Sequence, residues 1–291
     1  MRTSHFLLIA ILLALFQWGL AGCAPMETEE VPPTPTAIPA TPATVDPLPS
    51  PVFPVPEPTP QPSPIPTEAL NISSVCSPIH GFQMIQLEEI ISNPFEMPGP
   101  GSDDGHHGVD FAFFRYGIFD KMEGLPVQSM LNGIVAGAFH SRRPYGNTMI
   151  IETSLDELPN HWAASIDPLL KTPQIASHIK LFCPEPIFFE PTTNNGLSLY
   201  LLYAHLEQPP TLNIGNRVDC GQQIGFVGTS GASVNPRLHV EARVGPSGTQ
   251  FDQMAHYISD ASELEMQNYC VWRVSGLFAL KDPMELIEIS E

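Results

Sequence analysis

The chain falls into two parts by its alternation of apolar and polar positions. Up to about residue 74 there is no regular period after an initial apolar run. From Cys76 onward, short β-type runs follow one another, separated by Gly, Asn and Pro. Val109 to Phe114, Gly133 to Phe139, Thr148 to Glu152, Leu197 to Leu206, Gln223 to Val227 and Leu238 to Val244 are predicted strands. Helical periods are scarce, with Leu87 to Ile91 as one short candidate. Gly215, Gly221, Gly225, Gly228 and Gly231 punctuate one stretch at turn-like intervals. This pattern predicts a mainly β domain over residues 75–286, an antiparallel sheet or flattened barrel with a groove. Residues 154–196 break the pattern. They read as a partly helical insertion between two strands that would form one wall of a cleft, with a helix near Trp162 to Leu170.

The N-terminal part carries an address. Arg2 gives a positive start, and Phe6 to Leu20 is apolar except for Gln17. The run is short for a membrane span and ends in Leu20-Ala21-Gly22-Cys23, which resembles a bacterial lipobox. Residues 1–22 are therefore expected to be a lipoprotein signal peptide, and Cys23 the lipidated residue. An ordinary signal peptide with an incidental Cys is the plainer alternative. Residues 23–74 follow as a Pro/Thr-rich linker holding close to half of the 33 prolines. Proline removes backbone donors and fixes φ, so neither helix nor sheet propagates there. Such a linker is a semi-rigid spacer of about 3.1 Å per residue. It would hold a domain away from a membrane surface, on the outer side of an exporting cell.

Charge and cysteines narrow the class. Twelve basic against 31 acidic residues give a net charge of −19. A nucleic-acid partner is excluded, because displacing counterions from phosphates needs a positive field. Four cysteines remain beyond Cys23, an even number in an exported chain, and no C-x-x-C pair suggests a zinc knuckle. Two disulfides are expected, against the alternative of four buried thiols. Domain termini often lie close together, which favours Cys76 with Cys270. Cys183 with Cys220 would then staple the insertion to the glycine-rich stretch.

Three groups of residues have the makings of chemistry. In Gly105-His106-His107-Gly108-Val109-Asp110-Phe111, a strand would turn His106 and Asp110 to one face and His107 away. An imidazole and a carboxylate so placed can supply two metal ligands. In Arg237-Leu238-His239-Val240-Glu241, Leu238 and Val240 would face the core and the other three the opposite side. The third group, Leu202-Tyr203-Ala204-His205-Leu206, sets one His in an apolar strand, where a satisfied core residue is the commoner outcome.

Taken in chain order, with GNRVDCGQQIGFVGTSG at residues 215–231 between Tyr-Ala-His-Leu and Leu-His-Val-Glu, the motifs resemble the lysostaphin/LytM-type zinc endopeptidases. The resemblance covers roughly residues 105–153 and 197–245. It implies His106, Asp110 and His239 as ligands of one Zn2+, with water as the fourth. It implies His205 as a catalytic residue beside that water, and peptide bonds of peptidoglycan as substrate. The second catalytic histidine of the family falls on Arg237. Arginine cannot accept a proton, though it can donate to an oxyanion. The implied enzyme is thus either active with an altered site or catalytically impaired, serving as a wall-binding or hydrolase-regulating module. A lipid-anchored structural protein without a site is the third alternative. A monomer is expected.

Overall fold

The computed structural model describes residues 75–158, 176–185 and 196–288. The expected signal peptide, all of the expected linker and the helix expected near Trp162 to Leu170 lie outside them. Ten strands follow in order: β1 Ile91–Asn93, β2 Val109–Phe111, β3 Pro126–Gln128, β4 Gly133–Arg142, β5 Gly146–Ser154, β6 Leu197–Leu206, β7 Arg217–Val218, β8 Gln223–Phe226, β9 Leu238–Pro246 and β10 Ala279–Lys281. Among the described residues two α-helices, α1 Glu263–Arg273 and α2 Pro283–Glu288, flank β10. The fold is mainly antiparallel β, as the alternation predicts. Its main sheet runs β1-β2-β9-β6-β5-β4-β7, and β3 pairs β8 in a separate ribbon.

Strand β9 is the hub. One edge pairs β6 from His239 to Pro246; the other is shared between β2, opposite Leu238 to Val240, and β10, opposite Ala242 to Val244. Alternation then sorts the side chains. Leu199, Leu201 and Tyr203 of β6 and Leu238, Val240, Ala242 and Val244 of β9 join one buried cluster, with Ile79, Phe111 and Val127. Tyr200, Leu202 and Ala204 join a second cluster on the opposite face, with Phe251, Tyr269, Trp272 and Phe278. Because both faces are covered, β6 reads in the sequence as a nearly unbroken apolar run.

Several local expectations are corrected. Leu87 to Ile91 is no α-helix but part of two consecutive 3-10 turns, Met84–Gln86 and Glu88–Ile90. Strand β2 stops at Phe111, three residues early. Helix α1 was not expected, although Ser262 and Glu265 form a capping box at its start.

Two disulfides are present, with partners exchanged relative to expectation: Cys76–Cys220 and Cys183–Cys270. The backbone N–H of Cys76 donates to the Met130 carbonyl and that of Cys220 to Asn132 Oδ1. Both cysteines thus flank one turn, with Cα atoms 5.6 Å apart. Cys270 sits on α1, which covers the far face of the sheet and meets the 176–185 segment there. Cys183 lies in that segment, 6.1 Å away between Cα atoms.

Candidate metal centre

Strands β2 and β9 pair so that Asp110 stands opposite His239, although 129 residues separate them. The ladder fixes both backbones, and the shared face does the rest. Asp110 Oδ1 lies 2.7 Å from His239 Nδ1. His106 reaches the same oxygen by a route other than the one its spacing suggested. It precedes β2, follows Gly105 at φ 74°, and is held by an isolated bridge to Glu96. Its Nε2 comes to 3.4 Å from Asp110 Oδ1. One ligand atom each from His106, Asp110 and His239 lie within 4.8 Å of one another.

Gly108 makes this approach feasible. A Cβ there would lie 2.2 Å from the Val240 carbonyl oxygen and 2.9 Å from His239 Cε1. The glycine between the His and the Asp is therefore a packing requirement of the β2–β9 contact.

The remaining ring nitrogens are spoken for. His106 Nδ1–H donates to the Pro94 carbonyl at 2.8 Å, and His239 Nε2–H donates to Glu241 Oε1 at 3.2 Å. Each imidazole thereby turns its other nitrogen towards Asp110. Two imidazoles and a carboxylate with outer hydrogen bonds on both rings are the donor chemistry of a zinc site, and they leave room for a further ligand. The residues fit such an ion. Burial alone would raise the Asp110 pKa, but hydrogen bonds from His106 and His239 and their charge outweigh it. The carboxyl is held far below the usual range.

His205 stands beside this group, its ring centroid 5.9 Å from that of His239. It adopts φ 62° near the end of β6. Its Nδ1–H donates to the Ser230 carbonyl at 2.8 Å, which leaves Nε2 with the lone pair. Burial, then the neighbouring charges of His239 and Arg237, push its pKa down to about 3, so the ring is neutral. Arg237 fills the space between. Its Nη2 lies 3.1 Å from His205 Nε2, and its Nη1 donates to Ser233 Oγ at 2.7 Å. Its Nε is 3.1 Å from Asp110 Oδ2, close enough for charge attraction but not aligned as a hydrogen bond. A cavity of about 410 Å³ opens next to Asp110 and Arg237, walled by Phe113, Met122 and Pro236. Phe114 at its rim is 88% exposed.

His107 faces away, as expected: it is buried, and its Nδ1 accepts from Arg243 Nη2 at 2.7 Å. Sequence reasoning missed the group behind His239. Glu241 is fully buried and receives five donors: His239, Tyr145, Arg243, Trp272 and Arg273. Only its place in the Leu-His-Val-Glu motif hinted at it.

No family model and no curated protein matches the chain. Among solved structures, the catalytic domain of the prophage-encoded protein EnpA from Enterococcus faecalis is similar at 22% identity. The match covers 55% of this chain and 82% of that one, with a TM-score of 0.31. A zinc-containing peptidase from Vibrio cholerae shares 22% identity over 52% of this chain and 32% of its own, with a TM-score of 0.28. The catalytic domain of lysostaphin from Staphylococcus simulans shares 18% over 71% and 98% of the two chains, with a TM-score of 0.34.

Proposed function

We propose that this chain is a zinc-dependent endopeptidase of the lysostaphin type, exported and lipid-anchored through Cys23, that cleaves peptide bonds in bacterial peptidoglycan. The reading is carried by one observation: the convergence of His106, Asp110 and His239, with both outer imidazole nitrogens already bonded. Zinc in such a set acidifies water and polarises a carbonyl. The chain's own residues supply the rest. His205 Nε2, kept neutral and aimed by Ser230, can receive a proton. Arg237 cannot exchange a proton at neutral pH, but its N–H groups can donate to a developing oxyanion. Serving both roles in one turnover requires the Arg237 Nη2 contact with His205 Nε2 to break, because that nitrogen has a single lone pair.

The same contact favours a second reading. An arginine lying on both Asp110 and His205 suits an impaired enzyme that binds wall peptide or regulates another hydrolase. One experiment separates the readings: metal analysis of the purified chain in parallel with digestion of purified walls and mass analysis of the fragments. Bound zinc with released peptide fragments supports the endopeptidase. Bound zinc with intact walls supports the binding module. A metal-free, inert chain overturns the endopeptidase and favours the binding module or a structural role.

A further inference from the structure

The main sheet carries a buried ionic group with no counterpart among its apolar rows. Glu241 Oε1 accepts from His239 Nε2, Tyr145 Oη at 2.6 Å and Arg273 Nη1 at 2.8 Å. Its Oε2 accepts from Arg243 Nε at 3.1 Å and Trp272 Nε1 at 2.8 Å. Arg273 Nε continues to Asp103 Oδ1 at 2.6 Å. Two carboxylates thus meet two guanidinium groups, and the charges balance. A buried ion pair stabilises a fold no better than well-packed apolar residues would, because desolvation offsets the Coulomb gain. Packing alone does not call for this group, and its place directly behind one imidazole does need a reason.

Trp272 and Arg273 come from the last turn of α1, outside the stretch that carries the family motifs. The helix is tied down by Cys183–Cys270 and by the Ser275 carbonyl, which accepts from the Ala176 N–H. Glu241 is two residues from His239 on the same strand face, and a carboxylate there with no other partners would be free to rotate. The four donors other than His239 fix it, so its Oε1 stays on Nε2–H and the Nδ1 edge of His239 stays turned to Asp110.

We infer that helix α1 is a working part of the candidate metal centre: through Trp272 and Arg273 it clamps Glu241, and Glu241 sets the ring orientation and tautomer of His239. Glu241 is a positioning residue, and the helix acts through it. The inference rests on reading His239 as a ligand, and its consequence is a metal affinity that depends on side chains remote from the ion.

The test compares the purified parent chain with Glu241→Gln, Trp272→Phe and, as a control of equal depth, Tyr200→Phe. Tyr200 packs in the same cluster as α1 and donates to the Pro246 carbonyl, but it does not bond Glu241. Zinc affinity is measured by chelator competition. The exchange-protected Nε2–H signal of His239 is followed by NMR in metal-free protein. Outer-shell changes of this kind cost about 10–100-fold in metal affinity. Glu241→Gln is expected to fall in that range and to move the imidazole signal. Trp272→Phe should give a smaller loss in the same direction, and Tyr200→Phe should leave both readouts at parental values. The inference is overturned if Glu241→Gln and Trp272→Phe keep the parental affinity and signal, or if Tyr200→Phe changes them equally. Should the parent take up no zinc, the metallopeptidase reading falls, while the imidazole signal still decides whether the helix positions His239.

Discussion

Arg237 Nη2 lies 3.1 Å from His205 Nε2, on the one nitrogen of that ring that holds a lone pair. The contact makes the two residues a unit. On the proposed function, Arg237→Ala removes an oxyanion donor and is expected to lower turnover by about 10²–10³-fold, with zinc content unchanged. Arg237→His supplies an imidazole in its place and is expected to match or exceed the parent. Turnover on purified wall, with zinc measured in the same samples, checks both. An inert parent that gains activity as Arg237→His would instead mark a disabled enzyme.

Asp110 is the common partner of both imidazoles, so its loss should be felt by the whole site. Asp110→Asn keeps the shape but removes the charge that His106 and His239 share. Stoichiometric zinc should be lost, and activity with it, while the circular dichroism spectrum stays that of the parent. Chelator treatment of the parent should have the same effect, reversed by added zinc. Full zinc occupancy in Asp110→Asn would remove Asp110 from the ligand set.

Gly108→Ala tests the close approach of β2 to β9. The added methyl would sit 2.2 Å from the Val240 carbonyl oxygen, which belongs to the paired backbone and cannot turn aside. Overpacking of this kind costs typically about 1–3 kcal/mol. The variant should lose both unfolding free energy in urea and zinc. Unchanged zinc affinity would show that the strands can separate without disturbing the ligands.

The start of α1 gives a pH prediction. Burial alone would raise the Glu265 pKa, but hydrogen bonds from Arg142 and Ser262 outweigh it and hold the carboxyl below its usual 4.5. A depressed folded pKa means the unfolded chain binds the proton more readily. The stabilisation is therefore present above about pH 4.5 and is lost as pH falls through the folded value. Glu265→Gln should lower the urea midpoint at pH 7 and make little difference at acid pH, below the folded value. An equal penalty at both pH values would assign the effect to packing.

The strands and site residues that could be read from the sequence were those whose signals are local. Leu197 to Leu206 declared itself because both of its faces are covered, and the His-x-Gly-x-Asp spacing picked out His106 and Asp110. The reason given for their convergence was wrong, however: a glycine turn and a bridge to Glu96 bring His106 in, not a continuous strand. Helix α1 escaped because its buried residues, Tyr269 to Trp272, are consecutive and show no helical period. Only Ser262-x-x-Glu265 announced it. Glu241 looked like an ordinary polar position on the face of β9; its burial depends on a helix whose Trp272 comes 31 residues later in the chain. Cysteine pairing is set by which segments meet in space, and spacing along the chain carries no trace of that.

The order in which the cysteines are joined has a topological result. Pairing first with third and second with fourth interlaces the two loops, so no two neighbouring cysteines along the chain form a pair. A single backbone cut anywhere between residues 76 and 270 leaves the pieces covalently joined. Two cuts still cannot release any fragment that contains a cysteine. The nested arrangement expected from the sequence would have let a segment from before Cys183 to beyond Cys220 be excised whole, taking β6 and His205 with it. In the interlaced chain that segment stays tethered on both sides, so a nicked molecule keeps its parts at hand wherever proteases are near.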